Sequence, residues 1–365
     1  MHLEKLWLSD FRSYRHVELM PVPEGLTVVK GPNGEGKTNL LEAIAYLATL
    51  RSLRGSPGEA MIAVGAEEAV VRASIRRQGR EMLIESLLRA SGRNRVQINR
   101  QPLRRSRDLL GALCVTVFAP DDLAMVKGAP LERRQYLDDL LVALHPRHGA
   151  TQLELERVLK QRNALLKSAA GTSRPGSEVL GTLDVWDAKM AEIGETLVRA
   201  RRALLEALAP GVDATYGRLS EASSRPGEQG VTMEYQASWT GALSDALALA
   251  RGDDLRRGTS SVGPQRDEVG IFVGSMPART HASQGEQRCL ALALRLAGHV
   301  LVTERIESAP VLLLDDVFSE LDPDRAAALV DALPSGQAIL TTAGELPPGA
   351  VPALVARVEG GKLLT

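Results

Sequence analysis

The sequence predicts an α/β fold with an inserted helical lobe, and three features indicate it. A short apolar run at residues 26–31 (LTVVKG) leads directly into a glycine-rich loop, and residues 38–50 then follow helical spacing without a breaker. A second apolar run at residues 311–316 (VLLLDD) ends in carboxylates, as a buried central strand often does. Between them, residues 131–255 show mainly helical patterns.

The first part of the α/β core is expected at residues 1–130. Alternating or clustered apolar residues predict strands at 2–8, 16–20, 26–31, 70–77, 81–90, 95–103 and 113–120. Three of these strands, at 70–77, 81–90 and 95–103, contain most of an arginine-rich block.

That block, between Arg72 and Arg107, holds eleven arginines and only two acids. Its formal charge of +9 leaves −10 for the rest of a chain whose net charge is −1. The concentration of charge favours a surface for duplex phosphates, although a solvated face is the alternative because arginine outnumbers lysine 36 to 8 throughout. The candidate DNA contacts are Arg76, Arg77, Arg93 and Arg95.

The lobe is expected at residues 131–255 and the second part of the core at 256–365. In the third predicted helix of the lobe, apolar residues recur at mostly alternating steps of four and three: Trp186, Met190, Ile193, Leu197, Ala200, Leu204 and Leu208. This spacing fits a coiled-coil-like seam or the apolar face of a core helix. After the lobe, strand, helix and hairpin patterns alternate again to the end of the chain.

Composition favours a cytoplasmic protein with no membrane partner. No signal-peptide pattern stands at the start, and the apolar run at residues 289–302 is too short to span a bilayer and contains Arg295 and His299. The two cysteines, Cys114 and Cys289, suggest neither a disulfide framework nor a metal cluster.

The glycine-rich loop fits the pattern GxxxxGKS/T from Gly31 to Thr38, and we call it the phosphate loop. Glycines let backbone N–H groups curl around phosphate oxygens, and the helix that follows directs its positive end at the same anion. Lys37 is expected to reach the β- and γ-phosphates, and Thr38 to ligate Mg²⁺. The candidate nucleotide-binding residues are Gly31, Pro32, Asn33, Gly34, Glu35, Gly36, Lys37, Thr38, Asn39 and Arg54.

The run at residues 311–316 is the second element of the candidate site. Ligands of open α/β sheets bind at the carboxyl ends of the strands, where Asp315 and Asp316 stand. We expect Asp315 to join Thr38 in holding Mg²⁺ and Asp316 to polarise the attacking water. Lys37, Asp315 and Asp316 are therefore the candidate catalytic residues, with ATP and Mg²⁺ as cofactors.

Two further segments indicate the class of ATPase. SQGEQ at residues 283–287 is by itself a capping-box pattern, and SELD at residues 319–322 follows the paired aspartates. Together with the phosphate loop they resemble the signature segment and D-loop of ATP-binding-cassette (ABC) ATPases. The resemblance implies that Ser283, Gln284, Gly285 and Glu286 act in trans on a partner's nucleotide, with Ser319 and Asp322 in the D-loop. ATP would then hold a homodimer together.

The spacing and several more stretches narrow the resemblance. Thr38 and Ser283 are 245 residues apart, far more than in transporter subunits. The chain resembles the RecF family of bacterial recombinational repair in seven ordered stretches: LSDFRSY (8–14), GPNGEGKTNLLEAI (31–44), RSLRGS (51–56), VFAPDDLAMVKGAPLERRQYLD (117–138), GPQRDE (263–268), SQGEQR (283–288) and LLLDDVFSELD (312–322).

This resemblance implies an ABC-type ATPase head, with mixed β-sheets around a P-loop α/β core, and a lobe containing a short antiparallel coiled-coil-like helix pair. It also implies weak DNA-stimulated ATPase activity, binding of double-stranded DNA, RecO and RecR as partners, and a role in loading RecA. A transporter's nucleotide-binding subunit and a metabolite kinase are the alternatives. The transporter should show short spacing and a glutamine loop, and the kinase needs neither SQGEQ nor SELD.

The sequence departs from ABC patterns at three positions. The stretch FAPDDL offers Asp121 and Asp122 where a glutamine is expected, and Thr341-Thr342 replace the switch histidine. Asp316 stands where most ABC enzymes have a glutamate. Because aspartate is one methylene shorter and a misplaced base lowers the rate, we expect slow turnover.

Overall fold

The computed structural model describes residues 1–170, 176–221 and 230–364. The strands of the described chain are β1 (His2–Phe11), β2 (Tyr14–Leu19), β3 (Gly25–Lys30), β4 (Glu68–Arg77), β5 (Arg80–Arg89), β6 (Arg95–Ile98), β7 (Gln101–Pro102), β8 (Val115–Phe118), β9 (Val231–Gln236), β10 (Glu268–Val273), β11 (Met276–Pro277), β12 (Val311–Asp315), β13 (Gln337–Thr342), β14 (Pro352–Glu359) and β15 (Lys362–Leu364). The helices are α1 (Lys37–Thr49), α2 (Ala124–Lys127), α3 (Pro130–Leu144), α4 (Arg147–Ala169), α5 (Ser177–Glu221), α6 (Leu243–Arg257), α7 (Ala278–His281), α8 (Gln284–Ile306) and α9 (Pro323–Ala332).

The chain divides into two compact units. The first unit comprises Met1–Leu123, Gly211–Gly230 and Gln284–Thr365, and the second comprises Ala124–Pro210 and Val231–Ser283. The division at 1–130, 131–255 and 256–365 that the sequence suggested stays a prediction.

One sheet of the first unit carries the phosphate loop and the acidic strand. Its order is β15-β14-β3-β13-β12-β8, and every neighbouring pair is parallel except β14 and β15. β12 and β13 are buried along their whole length. β12 is apolar up to Asp315, as expected of a central parallel strand, whereas β13 also buries Gln337 and the two threonines at its end. β3, β13 and β12 are neighbours and run parallel, so their carboxyl ends lie at the same edge of the sheet.

The other sheet of the first unit is antiparallel and has the order β2-β1-β4-β5-β6-β7. The single strand predicted at residues 95–103 is wrong, because a tight turn divides it into β6 and β7. Asn99 and Arg100 adopt positive φ angles of 49° and 65° there. The Asn99 side chain accepts a hydrogen bond from the Leu83 backbone at 2.9 Å, which stabilises a conformation that asparagine tolerates better than most residues.

A continuous hydrophobic core joins the two sheets to α1. Leu6 of β1, Leu41 of α1, Ile75 of β4, Leu313 of β12 and Ile339 of β13 all belong to one cluster of buried residues. Helix α1 therefore packs against both sheets. This packing fixes the position of α1, which directly follows the phosphate loop.

The second unit holds helices α2, α3, α4, α6 and α7, most of α5, and a small antiparallel sheet with the order β11-β10-β9. Five of the seven seam residues of α5 are buried: Met190, Ile193, Leu197, Leu204 and Leu208 are at most 7% exposed. Trp186 and Ala200 are half-buried. β9 was missed from the sequence.

A fully buried arginine links three helices of the second unit. Arg162 of α4 donates to Asp187 of α5 at 2.6 Å and to Asp254 of α6 at 2.7 Å, and also to Ser260 at 2.8 Å. Burial of these charges is tolerable only because they pair with one another, so the network specifies how the three helices pack.

His299 of α8 is 2% exposed, and its Nδ1 lies 3.0 Å from the Thr116 hydroxyl of β8. Burial lowers the pKa of His299 to about 4. When the pH falls below the ordinary histidine pKa, His299 therefore takes up a proton in the unfolded chain but stays neutral in the folded chain. The free energy of unfolding should fall by about 2 kcal/mol from this group between pH 7 and pH 5.

Urea unfolding of the protein and of a His299→Gln variant at both pH values tests this prediction. The destabilisation caused by the substitution should shrink by about that amount at the lower pH. A difference that stays constant between the two pH values would contradict it.

Candidate nucleotide-binding site

The phosphate loop connects β3 to α1, and its glycines are required by geometry. Gly34 and Gly36 have φ angles of 87° and 101°, in the left-handed region that favours glycine. A Cβ on Gly36 would lie 2.4 Å from Ser13 Oγ, and one on Gly31 would lie 2.7 Å from the Val358 carbonyl oxygen. Among the described residues, no side chain forms a capping hydrogen bond at the N-terminus of α1, so the positive end of the helix is available to an anion.

The Lys37 side chain folds back over this loop. The residue is buried, and its ammonium donates to the carbonyl oxygens of Gly31 and Pro32 at 2.7 and 2.8 Å, with Asn33 Oδ1 at 3.4 Å. These three acceptors are neutral. Within the described residues, the ammonium is thus held inside the loop by neutral acceptors, and a bound phosphate would supply the counter-charge.

At the carboxyl edge of the sheet, Asp315 of β12 forms hydrogen bonds with residues of α1 and β13. Its Oδ1 accepts hydrogen bonds from Thr38 Oγ1 at 2.8 Å and from Thr341 Oγ1 at 2.6 Å. The structure therefore brings the two predicted Mg²⁺ ligands together and places Thr341, from the position of the missing switch histidine, against one of them.

This donor set fits a magnesium ion. A hydroxyl and a carboxylate are hard oxygen ligands, and Mg²⁺ commonly takes only one or two protein ligands beside phosphate oxygens and water. Within the described ranges, no group of three or more His, Cys, Asp or Glu side chains could hold a metal by itself. Nucleotide oxygens would have to complete the coordination of an ion at Thr38 and Asp315.

Asp316 directly follows β12 in a left-handed conformation, with φ 48° and ψ 31°. Its N–H donates to the Thr341 carbonyl oxygen at 3.0 Å, so the backbone turns sharply where the acidic strand ends. The residue is half-buried and lines a cavity of about 50 Å³ together with Phe118, Arg288 and Leu321. Its role towards water stays a prediction.

The position of the missing glutamine is occupied by an internal ion pair. Asp122 accepts from Arg295 of α8 at 2.6 Å and from the Ala119 backbone at 3.0 Å, and Asp121 is exposed. Asp122 therefore fastens this segment to α8.

The sequence did not predict the buried charged residues that pack against α1, the helix following the phosphate loop. Glu42 of α1 is fully buried, and Arg12 donates to both of its carboxylate oxygens, at 2.8 and 2.7 Å. Ser52 donates to the same carboxylate at 2.5 Å. Burial opposes ionisation, but the bonds from Arg12 and Ser52 outweigh it and hold the pKa of Glu42 below its ordinary value. Three stretches that supported the family resemblance thus meet in one network.

Tyr14 supports the loop from its other side. Its hydroxyl donates to the Gly36 carbonyl oxygen at 3.1 Å, and burial, reinforced by the charge of Glu35, raises its pKa. The tyrosine therefore remains a neutral donor. The turn between β1 and β2 is thereby fixed against the start of α1.

The signature segment and D-loop have defined positions around α8 and α9. Ser283 and Gln284 are exposed, and α8 begins at Gln284. Ser319 Oγ donates to the Asp316 carbonyl oxygen at 2.8 Å. Asp322 caps α9 by accepting from the Arg325 backbone at 2.9 Å.

Arg54, predicted to contact the nucleotide, lies exposed beside Ser52, which accepts from its backbone N–H at 3.1 Å. The four arginines predicted to bind DNA differ in their surroundings. Arg76 pairs with Glu4 at 2.6 Å, and Arg77 donates to the Gly111 carbonyl oxygen at 2.8 Å. Arg93 and Arg95 are exposed at the β5–β6 end of the antiparallel sheet.

Comparison with known proteins agrees with this geometry. The family described as RecF/RecN/SMC N terminal domain matches residues 2–343. Proteins named DNA replication and repair protein RecF from Streptomyces avermitilis and Frankia alni are each 45% identical, and in each case 94% of this chain aligns with 93% of the relative.

Solved structures agree as well. The structure described as the recombination mediator protein RecF-ATPrS in the RecFOR pathway is 26% identical, has a TM-score of 0.89, and covers 100% of this chain and 97% of its own. An Smc head bound to the C-winged helix domain of ScpA has a TM-score of 0.59 at 19% identity, over 100% of this chain and 96% of its own, and is similar in fold alone. The predicted α/β ABC-type ATPase fold is confirmed. No helix in the described ranges is long and apolar enough to cross a bilayer.

The buried pair behind the loop yields a stability prediction. Arg12→Met leaves the Glu42 carboxylate buried without its cation, so the free energy of unfolding should fall by about 3–5 kcal/mol in urea titrations. Adding Glu42→Gln to that variant should recover part of the loss, because the unpaired charge is then gone.

Arg256→Met is the matched control, since Arg256 and its partner Asp253 are both exposed. It should change the free energy of unfolding by about 0.5 kcal/mol or less. Equal effects of Arg12→Met and Arg256→Met would show that the buried pair does not support the loop.

Proposed function

Because this chain belongs to the RecF family within the RecF/RecN/SMC N-terminal domain group, we propose that it is an ATP-dependent DNA-binding protein of recombinational repair and replication restart. The observation that carries the proposal is the Thr38–Asp315 hydrogen bond at the mouth of the phosphate loop. It joins a phosphate-binding element to a metal-binding carboxylate. Family membership sets aside the transporter subunit and the metabolite kinase.

ATP hydrolysis is the proposed reaction, with each residue in a defined role. The loop N–H groups and Lys37 bind and neutralise the triphosphate, while Thr38 and Asp315 hold Mg²⁺. The ion, when bound, stabilises the charge that develops on the phosphate oxygens. Asp316 orients the attacking water. Thr341 keeps Asp315 in position through its 2.6 Å hydrogen bond.

A dimer with two shared sites is the proposed active state. Pro32, Asn33 and Gly34 of the phosphate loop are exposed, and so are Ser283 and Gln284 of the signature segment. Each can therefore meet the other segment of a second copy, which gives two identical composite sites about a two-fold axis. A helix N-terminus with a serine hydroxyl and a glycine N–H suits the outer side of the γ-phosphate.

In the proposed cycle, the ATP-bound dimer clamps duplex DNA near single-strand gaps, and slow hydrolysis releases it. The exposed arginines Arg93 and Arg95 support a contact with backbone phosphates, which is independent of base sequence. RecO and RecR are the proposed partners, and loading of RecA is the proposed outcome. A solved relative described within the RecFOR pathway supports this placement.

Slow turnover follows from the catalytic side chains. Asp316 is shorter than a glutamate, and at the switch position the Thr341 hydroxyl is engaged with Asp315. Neither arrangement favours rapid activation of water. A steady-state rate of tens per second would contradict a clamp whose release is timed by hydrolysis.

Ser283→Arg tests the trans arrangement. The substitution should leave ATP binding to the monomer intact, because Ser283 is not part of the chain's own phosphate loop. It should abolish the dimer seen by sedimentation with a non-hydrolysable ATP analogue, since a bulky cation would occupy the place of the signature serine.

Ser335→Arg is the matched control, because Ser335 is exposed and precedes β13, at the opposite end of that strand from Thr341. This variant should dimerise like the unmodified protein. An undisturbed dimer in Ser283→Arg would refute the shared site.

The DNA contact is tested by the Arg93→Ala/Arg95→Ala double variant. Affinity for duplex DNA should fall without a change in sequence preference, and the slope of log affinity against log salt should flatten by about 4, because the dimer loses two arginines from each copy. Arg256→Ala/Arg257→Ala removes the same charge from exposed positions on α6 and should leave both quantities unchanged. Equal losses in the two double variants would assign the effect to net charge.

A further inference from the structure

Gly285 of the signature segment lies under the guanidinium of Arg325. A Cβ on Gly285 would stand 2.6 Å from Nη1, 2.8 Å from Nη2 and 2.9 Å from Cζ of that side chain. The whole head group therefore covers the glycine. The absence of a side chain at Gly285 is thus required by a contact within the chain itself.

Arg325 is in turn held by the D-loop. Its Nη1 donates to Asp322 Oδ2 at 2.9 Å, and its backbone N–H donates to Asp322 Oδ1, also at 2.9 Å. One aspartate thus caps α9 and fixes the arginine on its first turn. One hydrogen-bonded ion pair thus holds the guanidinium over Gly285.

Two buried side chains lie beside Arg325, while Asp322 is exposed. Tyr216 is 1% exposed, and burial raises its pKa to about 12, with Glu286 raising it and Arg325 lowering it. The buried thiol of Cys289 also faces this group, and burial raises its pKa. Both side chains therefore stay neutral beside Arg325, and Asp322 is its hydrogen-bonded ion-pair partner.

We propose that Arg325 is a positioning residue that couples the signature segment to the D-loop, so that both meet the partner's nucleotide as one rigid unit. The inference rests on the proposed function, because it concerns the side of the site that acts in trans. Three successive contacts carry it: Asp322 to the α9 N-terminus, Asp322 to the guanidinium, and the guanidinium to Gly285.

The coupling has a physical consequence for dimer formation. A signature segment that is free to shift must be ordered when it meets the partner, and ordering has an entropic cost that weakens association. A segment already fixed by Arg325 avoids that cost. Loss of Arg325 should therefore weaken dimerisation without affecting nucleotide binding by the separate monomer, because the contacts described for Arg325 are with Asp322 and Gly285.

The test compares Arg325→Ala, Gly285→Ala and the double variant in the full chain. Sedimentation with a non-hydrolysable ATP analogue gives the dimer dissociation constant, and a fluorescent ATP analogue at low protein concentration gives monomer affinity. Each single variant should weaken the dimer at least tenfold and leave monomer affinity within twofold. In the double variant, Gly285→Ala should add less than threefold, because the guanidinium it would clash with is gone.

Two additional variants keep the result interpretable. Arg325→Lys retains a donor for Asp322 but lacks the flat head group, so it should weaken the dimer at least threefold even if Arg325→Ala fails to fold. Asp331→Ala changes an exposed residue at the other end of α9 and should dimerise normally.

Two outcomes overturn the inference while leaving the proposed function in place. One is normal dimerisation of Arg325→Ala and Arg325→Lys, and the other is a tenfold loss of monomer nucleotide affinity in these variants, which would show that Arg325 acts on its own phosphate loop. If the unmodified protein itself fails to dimerise with the analogue, the proposed function fails first and the inference fails with it.

Discussion

The candidate site depends on one carboxylate oxygen, Asp315 Oδ1, which accepts hydrogen bonds from Thr38 and Thr341. The three residues come from different elements, yet the parallel order β3-β13-β12 makes their ends meet. The parallel sheet thus brings Thr38 at the end of the phosphate loop within hydrogen-bond distance of Asp315, which is 277 residues later in the sequence. The chemistry proposed for the site requires that β3, β13 and β12 keep their pairing register, so that Thr38, Thr341 and Asp315 remain within hydrogen-bond distance.

Support for the edge comes from buried charge rather than from packing alone. Glu42 is fully enclosed and holds Arg12 and Ser52, which ties α1 to the segments before and after it. Such a network adds little to stability compared with a hydrophobic equivalent, but breaking it is costly because a charge is left unpaired. The geometry of the loop is thereby specified.

Local sequence patterns predicted the secondary structure around the phosphate loop and the acidic strand. They did not predict the hydrogen bonds between residues that are far apart in sequence. The strand, loop and helix around Gly36 and the strand ending at Asp315 follow from periodicity and glycine spacing, and both lie where expected. The roles of Arg12, Glu42 and Arg325 could not be predicted, because a charged residue in a helix or turn normally faces solvent. Residues 95–103 were predicted as one strand despite their Asn-Arg pair, because the bond from Leu83 that stabilises the turn at Asn99 is a contact between strands that the local pattern does not show.

The central claim is that one copy's phosphate loop faces another copy's signature segment when ATP is bound. Mixing an Asn33→Cys protein with a Ser283→Cys protein tests it directly with a short bismaleimide crosslinker, since both positions are exposed and the native Cys114 and Cys289 are buried. We expect a covalent dimer only in the mixture and only with ATP or its non-hydrolysable analogue. A crosslink that forms equally well without nucleotide, or none in the mixture with it, would contradict the account.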